Sequence, residues 1–363
     1  MSIDNLWIHN TVEAFSKGSF KNTVLVMEPE ASIMLSKASE AYSDAGVYLS
    51  PIIETSPFNA MILSWNACTP EGTAIQIEAQ VRIYKDQQQK WSGWLTWGTW
   101  STSFASSSAK TSEDEFAKVD TDILRIKGNI NETADAIRYK ITLNTSNPEN
   151  SPSIKLVAAA ARNTHSKEDT AKQLSEVNLS ELLNTDKTLD VPRFSQMLRD
   201  PKIASVICSP TSMTMILNYH GLTLVPEDTA AKVYDAVYEG YGNWTFNTAF
   251  AGSLGFESYV AYCSSIFDLK AEIDKGFPLA VSVRYKNNEL VDAKLPIIHG
   301  APIKKTNGHL IVVCGFIKEN DKHYVVVNDP AAESNEAVRL KYELEEFDAA
   351  WKTSGRVAYI IHP

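Results

Sequence analysis

Ile207-Cys208-Ser209-Pro210-Thr211-Ser212-Met213-Thr214-Met215-Ile216-Leu217-Asn218-Tyr219-His220-Gly221 reads as a helix with both ends marked in its own residues. Proline is tolerated in a first helical turn, where its missing N–H would lack a partner anyway, and glycine is favoured just past a helix C-terminus. Pro210 and Gly221 occupy those positions, so Cys208 falls at the helix N-terminus. Unpaired N–H groups and the positive end of the helix dipole stabilise a thiolate there and lower the thiol pKa. A buried, inert thiol is the commoner state of a cysteine, and position alone leaves both readings open.

Two strands further along could complete a site around that thiol. In Asn307-Gly308-His309-Leu310-Ile311-Val312-Val313-Cys314-Gly315 a histidine opens a strongly apolar strand, which could hold the imidazole rigidly while Gly308 keeps the approach open. His309 and Cys314 are five residues apart and face opposite sides of a regular strand, so Cys314 is a core residue and not a metal partner of His309. In Tyr324-Val325-Val326-Val327-Asn328-Asp329-Pro330 an apolar strand ends in a carboxylate. A carboxylate beside a base fixes its tautomer and stabilises imidazolium, although Asn-Asp-Pro is also ordinary turn chemistry. The ordered set of helix-start Cys208, strand-start His309 and strand-end Asp329 is what separates a nucleophilic site from three unrelated residues.

Around these segments, helical patterns are expected at Pro210–Tyr219, Glu227–Tyr238, Ile266–Lys275 and Leu344–Trp351, and strands at Leu279–Arg284, His309–Phe316, Tyr324–Asn328 and Val357–Ile361. That mixture predicts an α+β domain over residues 191–363. Residues 1–170 read differently. Ile75, Ile77, Ala79, Val81 and Ile83 alternate with Gln76, Glu78, Gln80 and Arg82, the pattern of a half-buried strand. Similar runs occur at Thr23–Met27, Gly46–Ile53, Ala60–Trp65, Trp94–Trp100, Asp122–Ile126, Ile137–Leu143 and Ile154–Ala159, separated by turn signals such as Pro70-Glu71-Gly72. Short strands without intervening amphipathic helices predict an all-β sandwich, jelly-roll-like in class. Residues 171–190 are polar with a weak helical pattern at Leu174, Val177, Leu182 and Leu183, and are expected to link the two domains.

Composition narrows the function classes. The chain has 363 residues, enough for two domains, and a formal net charge of −10 with no basic stripe, which disfavours a nucleic-acid partner. No positively charged leader and no run near the ~20 apolar residues of a membrane span is present, so the expected setting is soluble and cytoplasmic, with no membrane partner. Four cysteines, Cys68, Cys208, Cys263 and Cys314, are too few and too irregular for a disulfide framework. No CxxC or HExxH pair occurs, and neither a metal nor a cofactor is expected.

Ser195-Gln196, Cys208-Ser209-Pro210-Thr211-Ser212, Gly242-Asn243-Trp244-Thr245-Phe246-Asn247, Gly308-His309-Leu310 and Val327-Asn328-Asp329-Pro330-Ala331 together resemble the bacterial papain-like cysteine peptidases related to the domains that cleave double-glycine bacteriocin leaders. The resemblance spans Val191 to Pro363, with the motifs in family order. It implies a papain-like fold, Cys208 as nucleophile, His309 as general base and acid, Asp329 as its orienter, and Gln196 as side-chain donor of the oxyanion hole. Gln196 precedes Cys208 by twelve residues, a longer spacing than the family usually keeps, so Leu198–Ile207 must fold back for that role. The Gly242–Asn247 segment resembles a motif that lines or braces the cleft, placing Asn243, Trp244 and Gly308 on the substrate side; a Trp244 that simply packs the helical half is the alternative. Papain's own Cys-Gly-Ser/Ala-Cys-Trp/Tyr pattern is absent, which excludes close kinship with the plant and lysosomal enzymes.

In the first half, Trp91, Trp94, Trp97 and Trp100 recur at every third position. In one regular strand, Trp91 and Trp97 would face one way and Trp94 and Trp100 the other, so one pair could present rings to a glycan, although sandwich tryptophans usually pack inward. Ser64-Trp65-Asn66-Ala67 with Thr73–Ile83 resembles the sandwich domain that accompanies these peptidases. Three functions follow: cleavage of a peptide or isopeptide bond in a peptide or protein substrate, the same chemistry on a non-protein amide as amidase or acyl transferase, or a glycan- or polypeptide-binding module with an inert second half.

Overall fold

The structure, a computed structural model, describes residues 5–85, 88–129, 132–165, 186–287 and 295–363. Contacts divide the chain into two units, one comprising Asn5–Ser166 with Lys232–Val260 and the other Lys167–Ala231 with Ala261–Pro363. Residues 232–260, which fall inside the stretch 191–363, share their contacts with the first unit. Of the expected linker, the positions Leu174, Val177, Leu182 and Leu183 lie outside the described residues. Its end is a short strand, Lys187–Thr188, paired with Phe316 and Gly315 of the second unit.

The first unit contains two antiparallel sheets. One runs in the order Ala117–Asp120, Ile123–Ile126, Ala60–Cys68, Ser153–Arg162, Ser32–Leu35, Thr23–Val26, with Leu6–His9 also paired to Ser153–Arg162. The other runs Gln88–Trp91, Thr73–Lys85, Ala134–Thr145, Ala45–Leu49, Ser19–Lys21, with Leu95–Trp100 and Ile53–Phe58 as branches. The alternation in Thr73–Lys85 decides its faces. Ile77 and Val81 are at most 1% exposed and oppose Ile141 and Ile137 across the pair. On the other face Glu78 pairs with Lys140 at 2.7 Å and Arg82 with Asp135 at 2.8 Å.

The tryptophans do not share one regular strand. The strand ends at Trp91 and the next begins at Leu95. Trp97 and Trp100 are then both buried although three residues apart, because three residues from Thr96 to Thr99 span only two steps of the partner strand, Gln76 to Glu78. Gly98 takes up the extra residue at φ +92, where a Cβ would also lie 2.0 Å from the Ser107 carbonyl oxygen. Trp91 and Trp94 are half-buried and lie against the cations of Arg138 and Lys140. These flanking cations, and not a row of bare rings, are what the two indoles meet.

Residues 232–260 fold onto the first unit because they cover a strand that is buried on both faces. Asn243 caps the helix Trp244–Ser253, its side-chain oxygen accepting from the Phe246 N–H at 3.1 Å. The helix packs on Ala60–Cys68, Thr245 donating its hydroxyl to the Leu63 carbonyl at 2.8 Å and Phe246 meeting Trp65 and Trp100. Asn66 donates to the Ser258 carbonyl at 2.7 Å and accepts from the Ser258 N–H at 3.1 Å. Thr245 to Gly252 are all buried, so the helix has no polar stripe to advertise it in sequence.

In the second unit a sheet runs Val357–His362, Leu279–Lys286, Lys305–Glu319, Lys322–Asn328, Arg339–Glu343, with Lys187–Thr188 paired to Lys305–Glu319. Helix Cys208–Tyr219 packs on Lys305–Glu319, with Ser212 donating to the Leu310 carbonyl at 3.1 Å. Helices Ile266–Lys275 and Leu344–Thr353 have the starts expected of them, while the expected Glu227–Tyr238 helix is shorter, Pro226–Val233. Asp235 stops it by accepting from the N–H groups of Val237 and Tyr238, both at 3.1 Å, which curls the chain into a turn. Among the described residues no helix is long and apolar enough to cross a membrane.

Candidate active site

Cys208 is the first residue of its helix, and Ile207 before it offers no side-chain cap. The leading N–H groups of a helix have no intrahelical acceptors, and here no capping oxygen competes for them. The half-buried thiol is held below its ordinary pKa. Burial is the largest influence and opposes the shift, but a hydrogen bond with His309, the charge of that ring and the Leu310 N–H together outweigh it. At the other two buried thiols burial prevails: Cys314 is pushed up to about 12, and Cys263, with Asp268 and Glu272 acting in the same direction, well above its ordinary value.

His309 lies within strand Lys305–Glu319, opposite Val283, and is 4% exposed. Its Nε2 is 2.7 Å from Asp329 Oδ1, which leaves Nδ1 as the ring nitrogen for the thiol. Burial works against an imidazolium, yet Asp329 and the thiol raise the pKa to about 10. Asp329 follows directly on strand Lys322–Asn328 and is 1% exposed. Its Oδ1 also accepts from the Ala331 N–H at 3.0 Å, and its Oδ2 accepts from the Tyr342 hydroxyl at 2.7 Å. Burial would raise this carboxyl, but His309, Tyr342 and the Ala331 N–H hold it below its usual range.

Gln196 is 4% exposed on a 3-10 turn, Gln196–Leu198. Its backbone N–H donates to the Pro330 carbonyl at 2.8 Å, the residue after Asp329. Its Nε2 donates to the Ala204 carbonyl at 2.7 Å, so Leu198–Ile207 does fold back on it and one amide hydrogen remains. The buried Oε1 has no hydrogen-bond partner.

The structure thus brings Cys208, His309 and Asp329 together, the ring bonded to Asp329 and interacting with the thiol, with Gln196 tied to the residue beside Asp329. Asn243 and Trp244 stand at the start of the helix Trp244–Ser253. Both belong to the first unit, where Asn243 caps its helix and donates to Asp235 at 2.9 Å, and the Trp244 N–H donates to Asp122 Oδ2 at 2.6 Å. Gly308 is exposed, and a Cβ there would meet only Ser282 Oγ at an ordinary 3.7 Å, so no side chain of this protein requires a glycine. Tyr342 escaped the sequence reading. It sits on the five-residue strand Arg339–Glu343, and only the pairing of Val325 with Tyr342 carries it to Asp329. Tyr285, fully buried with an unpartnered hydroxyl, is also within electrostatic reach of that carboxylate.

Thiol, imidazole and carboxylate brought together from a helix start and two strands are the working parts of cysteine peptidases. Residues 188–359 match the Peptidase_C39 like family, and residues 5–162 match the Peptidase C39 N-terminal domain. Residues 188–359 are thus a Peptidase C39-like domain, preceded by a Peptidase C39 N-terminal domain over residues 5–162. Among solved structures, one described as a C39-like peptidase from Bacillus anthracis is 19% identical, with a TM-score of 0.38, covering 49% of this chain and 98% of its own. A double glycine motif protease from an AMS/PCAT transporter, in complex with a leader peptide, is 20% identical, with a TM-score of 0.28, covering 49% of this chain and 94% of its own. No protein of curated function matches the chain.

Proposed function

We propose that the second unit, read as a papain-like α+β domain behind a β-sandwich, hydrolyses peptide bonds through an acyl-enzyme on Cys208. The observation that carries this reading is the 2.7 Å contact between His309 Nε2 and Asp329 Oδ1, with the thiol as the ring's other partner. The low thiol pKa and the raised imidazole pKa favour a thiolate–imidazolium pair as the resting state. The Cys208 thiolate attacks the carbonyl carbon, forming the C–S bond as the carbonyl electron pair moves onto oxygen. The N–H of Cys208 and the second amide hydrogen of Gln196 are the donors suited to that oxyanion. Collapse breaks the C–N bond while imidazolium protonates the leaving amine. The neutral ring then takes a proton from water, the hydroxide adds to the thioester, the C–S bond breaks, and the acid leaves.

A solved relative was captured with a leader peptide, which supports polypeptides as the substrate class. The test is direct: the full chain is incubated with an unbiased peptide mixture, cleavage is followed by mass spectrometry, and a Cys208-linked acyl adduct is sought after acid quench. Cleavage that is absent in Cys208→Ala supports the reading. Equal cleavage by Cys208→Ala, or an adduct on another residue, overturns it.

A further inference from the structure

Inward-facing positions of a sandwich strand are ordinarily filled by large side chains that interdigitate with those of the facing sheet. The strand Ser153–Arg162 departs from this near its end, where Ala158, Ala159, Ala160 and Ala161 follow one another. Ala159 lies opposite Trp7 on one side and Leu63 on the other, and it shares a face with Ala161. The Trp7 ring is 5.4 Å from that of Tyr139 in the other sheet, so this is the inward face. The small side chains leave a cavity of about 480 Å³ between the sheets, whose lining includes Trp7, Thr55, Ile137, Ala159 and Ala161.

The walls of the cavity are fixed. The His9 ring packs 3.6 Å from Trp7, and its Nδ1 lies 2.9 Å from the Tyr139 hydroxyl. Asn5 spans the two sheets, donating Nδ2 to the Ser56 carbonyl at 3.2 Å and accepting from the Ser56 N–H at 3.1 Å. Thr55 Oγ1 is buried with no hydrogen-bond partner among the described residues, an arrangement that costs stability until something bonds to it.

An open strand edge adjoins the cavity, since Leu6 also lines it. Leu6–His9 pairs with Ser153–Arg162 and, among the described residues, with no other strand. The Ala161 N–H donates to the Asn5 carbonyl at 3.0 Å, which makes Asn5, Trp7 and His9 the hydrogen-bonded positions of this antiparallel pair. The N–H and C=O groups of Leu6 and Ile8 therefore point the other way, out along the edge.

We propose that this edge and the cavity behind it bind an extended polypeptide, which adds as a strand beside Leu6–His9 and lays one tyrosine-like side chain between the sheets. The outward groups of Leu6 and Ile8 match the alternating N–H and C=O groups of an added strand. Trp7, Ile137, Ala159 and Ala161 suit an aromatic body, and the Thr55 hydroxyl suits its polar tip. A small solute would fill the cavity but leave the edge groups unmatched. The site lies wholly within the first unit and is independent of the hydrolase reading.

Binding is measured by fluorescence anisotropy with the full chain carrying Cys208→Ala, so that no probe is cut. Three fluorescein-labelled nonapeptides carry tyrosine, phenylalanine or alanine at one central position, and a fourth is the tyrosine peptide N-methylated at its three central amides. The tyrosine peptide is expected to bind about tenfold more tightly than the alanine peptide, and N-methylation to abolish binding. Ala159→Met fills the cavity and should remove the tyrosine advantage with near-UV circular dichroism unchanged. Thr55→Val deletes only an unpartnered hydroxyl, so it should melt no lower than wild type, and it should cut the preference for tyrosine over phenylalanine by about threefold. Equal affinity for the tyrosine and alanine peptides, binding that tolerates N-methylation, or discrimination that survives in a folded Ala159→Met protein overturns the site. If Ala159→Met loses its folded signature, Thr55→Val decides: a tyrosine-over-phenylalanine preference that is absent in its parent, or unchanged by the substitution, overturns the site equally.

Discussion

Tyr342 donates its hydroxyl to Asp329 Oδ2 at 2.7 Å while His309 Nε2 lies 2.7 Å from Oδ1 of the same carboxylate. The two contacts fix the carboxylate plane from both ends, so the imidazole is aimed by a group that is itself aimed. Tyr342→Phe keeps the ring and removes the donor, leaving Oδ2 buried and short of a hydrogen bond. The expected cost is about 1–3 kcal/mol of stability, with a drop of about tenfold in turnover from the loosened base. Chemical denaturation and steady-state kinetics check both; a variant unchanged in each would show that the contact is idle.

The pH profile follows from the two shifts at the thiol and the ring. Turnover should rise as pH climbs through the lowered Cys208 value, where the thiolate forms. It should fall as pH passes about 10, where the imidazolium that protonates the leaving amine is lost. The limbs belong to the coupled pair and not to either residue singly. Asp329→Asn deletes the main influence raising His309, so burial prevails and the upper limb should move to lower pH. An upper limb that stays in place in Asp329→Asn would rule out this account.

Much of this arrangement could be read from the chain itself. The helix Cys208–Tyr219 and the strands that deliver His309 and Asp329 carry strong local signals: Pro210 near one end, Gly221 at φ +97 past the other, and long β-branched runs. Ile266–Lys275 was equally plain, because Ser265 and Asp268 form a capping box and Gly276 at φ +94 closes it. The helix Trp244–Ser253 was not. A helix buried on all sides loses the 3.6-residue alternation, and its Asn243-Trp244 start looked like a loop motif because the capping role of Asn243 depends on a fold not yet known. Tyr342 lay beyond reach for another reason: its strand is short and charged, and its function is set by register with Val325. Spacing likewise gave no hint that residues 232–260 would cover Ala60–Cys68.

That last feature makes the first unit more than a detachable leader. Expressing residues 186–363 alone would leave Phe246, Phe250 and Ala251 without the strand they cover, apolar surface that is at most 6% exposed in the whole chain. Such a fragment should bind a hydrophobic dye and lack a cooperative melt, whereas the full chain should not bind the dye. A soluble fragment with a sharp transition would contradict this.

Asp122 gives the first unit a pH signature. Burial raises its carboxyl to about 7, despite the donation from the Trp244 N–H. A folded-state pKa above the ordinary carboxylate value means that the native unit holds the proton more tightly than the unfolded chain does. The stabilisation is complete below the ordinary value and is lost as pH rises through about 7. His9, pushed down by burial to about 4, runs the other way, so the signature is read as a difference. Wild type minus Asp122→Asn should slope downward by up to about 1.4 kcal/mol per pH unit between pH 4 and 7. A flat difference in denaturation free energy would mean that Asp122 stays ionised at the helix start.

The most demanding prediction concerns the catalytic set as a unit. If Cys208 attacks while His309 moves the proton, Cys208→Ala and His309→Ala should each abolish nearly all turnover, and the double variant should lose little more than either. Asp329→Ala should remain a weak enzyme, since the nucleophile survives and only the orientation and charge support of the ring are lost. Gln196→Ala is the discriminating case. Its Nε2 already donates to the Ala204 carbonyl at 2.7 Å, so the remaining amide hydrogen must serve the oxyanion for the side chain to matter chemically. If it does, turnover should fall by about 10²–10³ with KM little changed. If Gln196 only pins the Leu198–Ile207 segment, the loss should appear in stability and KM instead. Because Gln196, His309 and Asp329 are all at most 4% exposed, each variant must first be shown to unfold with wild-type cooperativity. Losses at Cys208 and His309 that multiply in the double variant would mean the two residues do not share a transition state, and the acyl-enzyme mechanism would have to be given up.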